Sequence, residues 1–261
     1  MSVELSVIVP IFNESVDLWP MAEKLSLHLD NVIGNYKWQY VLVDNGSKDD
    51  TPKIVKQICE TWTHSLPIVL PKPNYGEALK SGLLSALGKW AYIVNVDFWD
   101  PIFIAWGWKH RDKYDLILGS KRCDPSLNQQ SRYRRTLTWG LNTLLQFAFG
   151  FVGTDTHGQK LLKLDTMIPL IEKCLMKRGQ FDTEFTLRAI RKGLWIAEVP
   201  VPIIEHRTQR NWMFKKISQN FIDIFKLKAV MRNVNCKNGI RYHRWAREDM
   251  ISDNVDKVQQ F

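Results

Sequence analysis

The residues best suited to chemistry come in three short groups: Asn13-Glu14, Asp44-Asn45 and Asn95-Val96-Asp97. Each follows an apolar run. Carboxylates gathered at a ligand crevice repel phosphate unless a cation bridges them. Hard divalent ions such as Mg2+ take oxygen ligands from one or two carboxylates plus substrate phosphates. The pattern points to a metal-bridged nucleotide diphosphate, with Asp97 as first candidate ligand and Asp100 as a second. A lone acid at a strand end is more often a turn former or helix cap; three strand ends of the same character weaken that alternative. Two common phosphate signatures are missing. The first strand runs into Val9-Pro10-Ile11-Phe12-Asn13-Glu14 rather than a glycine-rich fingerprint, and no GxxxxGK[ST] loop occurs. A dinucleotide dehydrogenase and a P-loop ATPase are thereby disfavoured.

The elements that must position these groups alternate. Leu5 to Ile11 is a continuous apolar run, as expected of a strand buried on both faces. Further strands are expected at Tyr40 to Asp44, Pro67 to Leu70, Ala91 to Val96 and Asp115 to Gly119. Helical periodicity falls at Ser15 to Val32, Thr51 to Thr63 and Tyr75 to Leu87. Asp50 or Thr51 is available to cap the second helix, with Pro52 suited to its first turn. Alternating β and α with buried strands predicts an α/β fold, a parallel doubly wound sheet. Ligands of such sheets sit beyond the carboxyl ends of the strands, where the three groups converge. After residue 130 the pattern becomes a helix (Arg132 to Phe149), a short Gly/Thr/Asp segment, two more helices and a strand (Leu194 to Pro200).

Composition bounds the alternatives. In 261 residues, 45% are apolar and 24% charged, the balance of an ordinary globular protein rather than a disordered tail or disulfide mini-protein. The four cysteines lie far apart with no CxxC pair, so free thiols in a reducing compartment are expected. No apolar stretch approaches the ~20 residues a spanning helix needs, and no signal peptide is seen, so the expected location is cytoplasmic or on the cytosolic face of a membrane. The net charge of +9 is concentrated: Arg207 to Arg247 holds eleven basic residues and one acid, leaving the rest at −1. This argues against general nucleic-acid binding. Trp212 to Met231 reads as a basic amphipathic helix, with Met213, Phe214, Ile217, Phe221, Ile224, Phe225 and Met231 on one side. Such a helix suits a membrane surface; packing on its own core with a solvated basic face is the equal alternative. The expected division is a domain over 1–206 and a basic helical tail or lid over 207–261.

The motifs resemble those of family-2 glycosyltransferases with the GT-A fold. Val7-Ile8-Val9-Pro10-Ile11-Phe12-Asn13-Glu14 resembles "VVIPxYNE", and Val43-Asp44-Asn45-Gly46-Ser47 with Asp49 and Thr51 resembles "VDDGSxDxT". Asn74, Gly76, Ala78, Gly82, Ala86 and Gly88 fit a third motif, and Asn95 to Pro101 sits where the family has "DADLQDP". Asp115 to Arg122, Arg134-Arg135, Thr154 to Lys160, Phe181 to Glu184 and Glu198 to Val201 resemble the dolichol-phosphate mannose synthase-like branch, over roughly residues 3 to 207. The resemblance implies a Rossmann-like, mostly parallel sheet and an inverting transfer of sugar from a nucleotide diphosphate sugar to a polyprenyl phosphate, with Mg2+ or Mn2+. It places Pro10, Phe12, Glu14, Asp44 and Asn45 at the nucleotide, and Val96 and Asp97 at the diphosphate. Asp97 and Asn95 would meet the metal, and Arg207 and Lys215 would close from the C-terminal segment. Lys121, Arg122, Arg134 and Arg135 would hold the acceptor phosphate. Asp155 would lie nearest the acceptor, and Asp182 and Glu184 would support the sugar or orient loops; Asp97, Asp155 and Asp182 are the catalytic candidates.

The chain departs from the pattern at four places. Asn95 replaces the first acid of the metal motif, Trp99 its usual Gln, Asn45 the second acid of "DDGS", and Gln159 the Phe of "GFK". His157 is a possible acceptor contact or a plain loop histidine. Two other readings compete. One is elongation of a surface polysaccharide or glycolipid through a sugar hydroxyl, which needs a general base from Asp155, Asp182 or Glu184. The other is non-catalytic nucleotide-sugar binding, which Asn95 and Trp99 favour. The sequence sets neither the sugar, the base nor the oligomeric state.

Overall fold

The computed structural model describes residues 2–34, 37–127, 140, 143, 146–202, 223–232, 234 and 239–253. Eight strands form one sheet: β1 (Leu5–Ile11), β2 (Trp38–Asp44), β3 (Leu66–Val69), β4 (Trp90–Ile93), β5 (Leu116–Ser120), β6 (Lys160–Lys163), β7 (Trp195–Pro200) and β8 (Arg241–Arg244). Their order is β3-β2-β1-β4-β6-β5-β7-β8. The helices are α1 (Leu18–Val32), α2 (Thr51–Thr61), α3 (Tyr75–Leu84), α4 (Pro101–His110), α5 (Leu164–Ile171), α6 (Gln180–Lys192) and α7 (Arg247–Ser252), with a further helical segment at 223–231.

The apolar runs form central strands because both sheet faces are covered. Val7, Val9 and Ile11 pack on one side with residues of α1 and α4, while Ile8 packs on the other with those of α3 and α6. Burial of a strand on both faces is what a continuous apolar run encodes. α3 approaches β1 closely: a Cβ on Gly82 would lie 2.6 Å from Ile8 Cγ2.

The sheet is mostly parallel, but β6 is not. It lies antiparallel between β4 and β5, pairing Ile93 with Lys160 on one side and Leu118 with Lys160 on the other. The mostly parallel sheet is thus as expected, and only β6 itself had no expectation, because a four-residue strand bounded by Lys160 and Lys163 carries no strand-like pattern. β8 was also unexpected. It pairs parallel with β7 and is a basic, mostly exposed edge. α4 was missed because it is apolar nearly all round, with Phe103, Ile104, Ala105, Trp106 and Trp108 all buried, leaving no amphipathic signal. At α2 the expected cap differs. Asp50 makes no side-chain cap bond; the Asp49 carboxylate accepts the Thr51 N–H instead.

The helix expected over Arg132 to Phe149 is described only at 140, 143 and 146–149, all helical. Of the helix expected from Trp212 to Met231, residues 212–222 lie outside the described residues. In 223–231, Ile224, Leu227 and Met231 pack into the core. Phe225, expected on the same side, is instead exposed beside Lys226 and Lys228.

β5 and the approach to β6 touch at glycine. A Cβ on Gly158 would sit 1.7 Å from the Gly119 carbonyl oxygen, a backbone atom that cannot swing away. Gly158→Ala should therefore destabilise by at least the ~1–3 kcal/mol of ordinary overpacking. Urea denaturation measures this; an unchanged midpoint would contradict the packing described.

Candidate active site

β1 lies between β2 and β4, parallel to both, so their carboxyl ends open on one edge about 4.8 Å apart from strand to strand. The loops there are stitched together. Asn13 takes a left-handed backbone, φ 55°, which turns the chain so that its side-chain carbonyl accepts the Lys48 N–H at 2.8 Å. In return the Asn13, Glu14 and Ser15 N–H groups donate to Ser47 Oγ, Thr51 Oγ1 and the Asp49 carboxylate. Four hydrogen-bonded residues of the second motif, Ser47, Lys48, Asp49 and Thr51, thus shape the loop of the first.

Asp44 is buried, and its Oδ1 accepts the Ser47 N–H at 2.9 Å. Asn45 is buried, and its Oδ1 accepts the Asn74 N–H at 2.6 Å. Both build turns; the carbonyl of Asn45 does this without a second buried charge. Asn74 caps α3 and also accepts the Arg178 N–H, linking this loop to the approach to α6. Phe12 leaves a large apolar face 43% exposed at the end of β1, beside half-buried Pro10 and Glu14.

β4 stops at Ile93, and the chain closes a tight turn in which the Phe98 N–H donates to the Asn95 carbonyl. Val96 and Asp97 occupy its tip, Val96 buried and Asp97 exposed to solvent. Asp100 does not join it, contrary to the expectation of a second metal ligand. Its carboxylate caps α4 through the Ile102 N–H and pairs with Arg247 through both oxygens. The Trp99 ring packs at 5.7 Å from the His28 ring of α1.

The reversed direction of β6 brings the second half of the site to the same edge. Its amino-terminal approach, residues 154–159, lies where its neighbours end. α6 leads into β7, so its first turn, which carries Asp182, opens there too. Asp155 is buried, accepts the His157 N–H at 2.9 Å and faces Lys121 at 3.9 Å. Burial pushes its carboxyl up, but Lys121, His157 and Lys160 more than offset this and hold it below the ordinary value. Burial lowers the His157 imidazole, with Lys160 and Lys121 adding, against the raising effect of Asp182 and Asp155. The Arg122 guanidinium is lowered by burial and drawn back by Asp155 and Glu198.

Asp182 is fully buried and pairs with Lys160, itself fully buried, at 3.0 Å. Lys160 also donates to the Gly158 carbonyl. Tyr75 lies between the two groups: burial raises its phenol most, then Asp182, to which it is hydrogen-bonded, and then the more weakly felt charge of Asp97. Glu184 accepts the Leu175 and Met176 N–H groups and pairs with Arg188, so it orders the loop before α6.

The structure thus brings Glu14, Asp44, Asn45, Asn95, Val96 and Asp97 to one edge, with Asp155, Asp182, Lys121 and Arg122 beside them. Arg134, Arg135, Arg207 and Lys215 lie outside the described residues. Sequence reasoning assigned no role to Tyr75, Lys160 or Glu198. Glu198 is buried in β7, and its Oε1 accepts the Thr154 N–H and hydroxyl and the Asp155 N–H. An acid inside the apolar run Ile196 to Val201 was the available signal.

Comparison with solved structures places this arrangement of strands and helices in the GT-A class of folds. Glucosyl-3-phosphoglycerate synthase from Mycobacterium tuberculosis, crystallised with Mg2+ and uridine diphosphate, superposes with TM-score 0.57 at 18% identity, over 87% of this chain and 80% of that one. Residues 6–154 match the model of glycosyl transferase family 2, and the chain belongs to that family. It is similar to the dolichyl-phosphate beta-glucosyltransferase of Dictyostelium discoideum, 29% identical over 77% of this chain, and to that of Saccharomyces cerevisiae, 27% over 76%. The chain spans 66% of the length of each, just under two thirds. A shorter match, 33% identical over 34% of this chain and 26% of the relative, is to the dodecaprenyl-phosphate galacturonate synthase of Rhizobium johnstonii.

His157 and Asp155 both contribute to the acid response. His157 resists protonation in the folded chain, so the unfolded chain binds the extra proton and stability falls as pH drops below the ordinary 6.5. Asp155 adds a second loss, starting below its ordinary 3.8 and completed as pH falls through its lower folded value. Urea unfolding from pH 7 to 5 should show a slope that His157→Gln flattens; equal slopes in both proteins would contradict the burial of a neutral imidazole.

Proposed function

We propose that this chain is an inverting glycosyltransferase that moves a sugar from a nucleotide diphosphate sugar to a polyprenyl phosphate. The observation that carries this reading is the meeting of the β1, β2 and β4 tips with the Lys121–Asp155 pair at one sheet edge. The names of the similar proteins, which pair dolichyl or dodecaprenyl phosphate with a sugar, support it.

Phe12, Pro10, Glu14 and the Asp44–Asn45 turn hold the nucleotide, and Val96 and Asp97 meet the diphosphate. A divalent ion fits this tip. Asp97 is exposed and Asn95 offers an oxygen, while the described residues hold no cluster of three ligating side chains, so the remaining ligands are phosphate oxygens. Asp97 and Asn95 would hold such an ion, Mg2+ or Mn2+, which when bound would supply positive charge against the charge developing on the leaving diphosphate. Arg207 and Lys215 are assigned to the same diphosphate, and Lys121, Arg122, Arg134 and Arg135 to the acceptor phosphate.

An acceptor phosphate is already anionic, so it needs orientation more than deprotonation. Asp155, held low, is a weak base and a fixed charge that aligns Lys121 and the 155–158 loop. A sugar-hydroxyl acceptor would need a base tuned toward neutral pH. Asp155 is shifted the other way, Asp182 is locked to Lys160, and Glu184 is committed to two N–H groups and Arg188.

No described helix is long and apolar enough to cross a membrane. We assign contact with the cytosolic face of a membrane to the exposed Phe225, Lys226, Lys228 and Arg232. Each cation near an anionic leaflet contributes about 1 kcal/mol, so replacing the three with Gln should lower binding to phosphatidylserine vesicles on the order of 100-fold. Unchanged sedimentation would remove this surface from the account.

The reaction is tested with radiolabelled nucleotide sugars and dolichyl or undecaprenyl phosphate. Label should enter a butanol-soluble, mild-acid-labile lipid, and Asp155→Asn should slow it by about 100-fold through misplacement of the acceptor. Label in glycan alone, or a near wild-type rate for Asp155→Asn, would refute the assignment.

A further inference from the structure

We infer that Arg247, in the short C-terminal helix α7, is a positioning residue for the 95–100 loop, acting through Asp100. The inference deepens the proposed nucleotide site and rests on that reading. The Arg247 guanidinium holds both oxygens of Asp100, Nη2 to Oδ1 at 3.1 Å, and donates to the Pro200 carbonyl at 3.0 Å. Its side chain is only 11% exposed and that of Asp100 3%. A forked guanidinium on a carboxylate fixes orientation as well as distance. Asp100 stands three residues after Asp97, at the base of the turn whose tip Asp97 occupies.

The backbone of Asp100 is held from a second side, by Gln159. Gln159, where the family pattern has Phe, accepts the Asp100 N–H at 3.2 Å and the Tyr92 hydroxyl through the same Oε1. Asp100 is therefore gripped from the approach to β6 through its N–H and from α7 through its carboxylate. With Asn95 in place of an acid, one carboxylate remains at the turn. Its placement depends on this grip.

The anchor of Arg247 is itself rigid. The Trp245 N–H donates to the Glu198 carbonyl, its indole to Tyr114, and its ring lies 5.2 Å from Trp106. Met250 is fully buried. Residues 241–252, which include the end of the basic stretch, thus work as part of the proposed nucleotide-binding unit.

The test compares Arg247→Met, Arg247→Lys and Asp253→Asn. Asp253 ties the same C-terminal segment to Lys109 and His110 without touching Asp100. Calorimetry reads binding of UDP and GDP with Mn2+, and hydrogen exchange reads the amides of 95–98 without nucleotide. Arg247→Met should weaken nucleotide binding about 10-fold, the low end of the range for losing a partner in direct contact with a metal ligand because Arg247 acts one residue further back through Asp100, and speed exchange at 95–98. Arg247→Lys should recover part of both, and Asp253→Asn should match wild type in both. If Arg247→Met leaves a stranded Asp100 charge that prevents folding, Asp100→Asn/Arg247→Met carries the same comparison. Wild-type binding in the Met variant, or faster exchange spread evenly over the sheet, would overturn the inference. If the wild type binds neither nucleotide, the functional reading fails, and exchange at 95–98 still decides the positioning claim.

Discussion

The site depends on one reversal of direction in the sheet. Lys160 begins a strand that runs against both neighbours, and its ammonium is buried against the Asp182 carboxylate at 3.0 Å. Breaking a buried pair of this kind by removing one partner typically costs about 3–5 kcal/mol, because the survivor is left uncompensated. The pair fixes where α6 begins relative to the approach to β6. Because β6 enters the sheet at the edge where β1, β2, β4 and β5 leave it, Asp155 and Lys121 lie at the same edge as Asp44 and Asp97. A parallel strand at the same place would have carried Asp155 to the far end.

The two halves of the crevice differ in electrostatics. On the nucleotide side the acids are spent on structure: Asp44 and Asp49 accept backbone N–H groups, and Asp100 pairs with Arg247. Asp97 stands exposed at the turn tip, suited to an ion shared with phosphate. On the acceptor side charges are buried and balanced, Asp155 with Lys121 and Asp182 with Lys160. Glu198 sets the backbone of Thr154 and Asp155 while Arg244 compensates its other oxygen. On the proposed function, a phosphate arriving here would meet cations whose partners are already fixed, so little reorganisation would accompany binding.

The nucleotide half was legible in the sequence because it sits at the ends of long, doubly buried strands. Leu5 to Ile11 and Tyr40 to Asp44 announce themselves as apolar runs, and Asn13, Asp44 and Asp97 follow directly. The acceptor half was legible only through family motifs. Lys160 looks like a surface lysine in a four-residue strand, and its partner lies 22 positions later on a helix. α4 hides because every face is apolar. β8 hides because Arg241 and Arg244 mark it as polar edge or loop. Arg247 was unreadable for a different reason: its partner is 147 residues away, and nothing local in either segment announces the pairing.

The claim at the centre of this account is that the strand tips and the approach to β6 share one metal-bridged diphosphate. Paramagnetic broadening of backbone amides by Mn2+ in the presence of a nucleoside diphosphate tests it most directly. Broadening should depend on the nucleotide and be strongest at residues 95–98, then at 13–14, 44–47 and 155–158. Broadening centred on residues 61–66 at the opposite edge of the sheet, or indifferent to nucleotide, would contradict it.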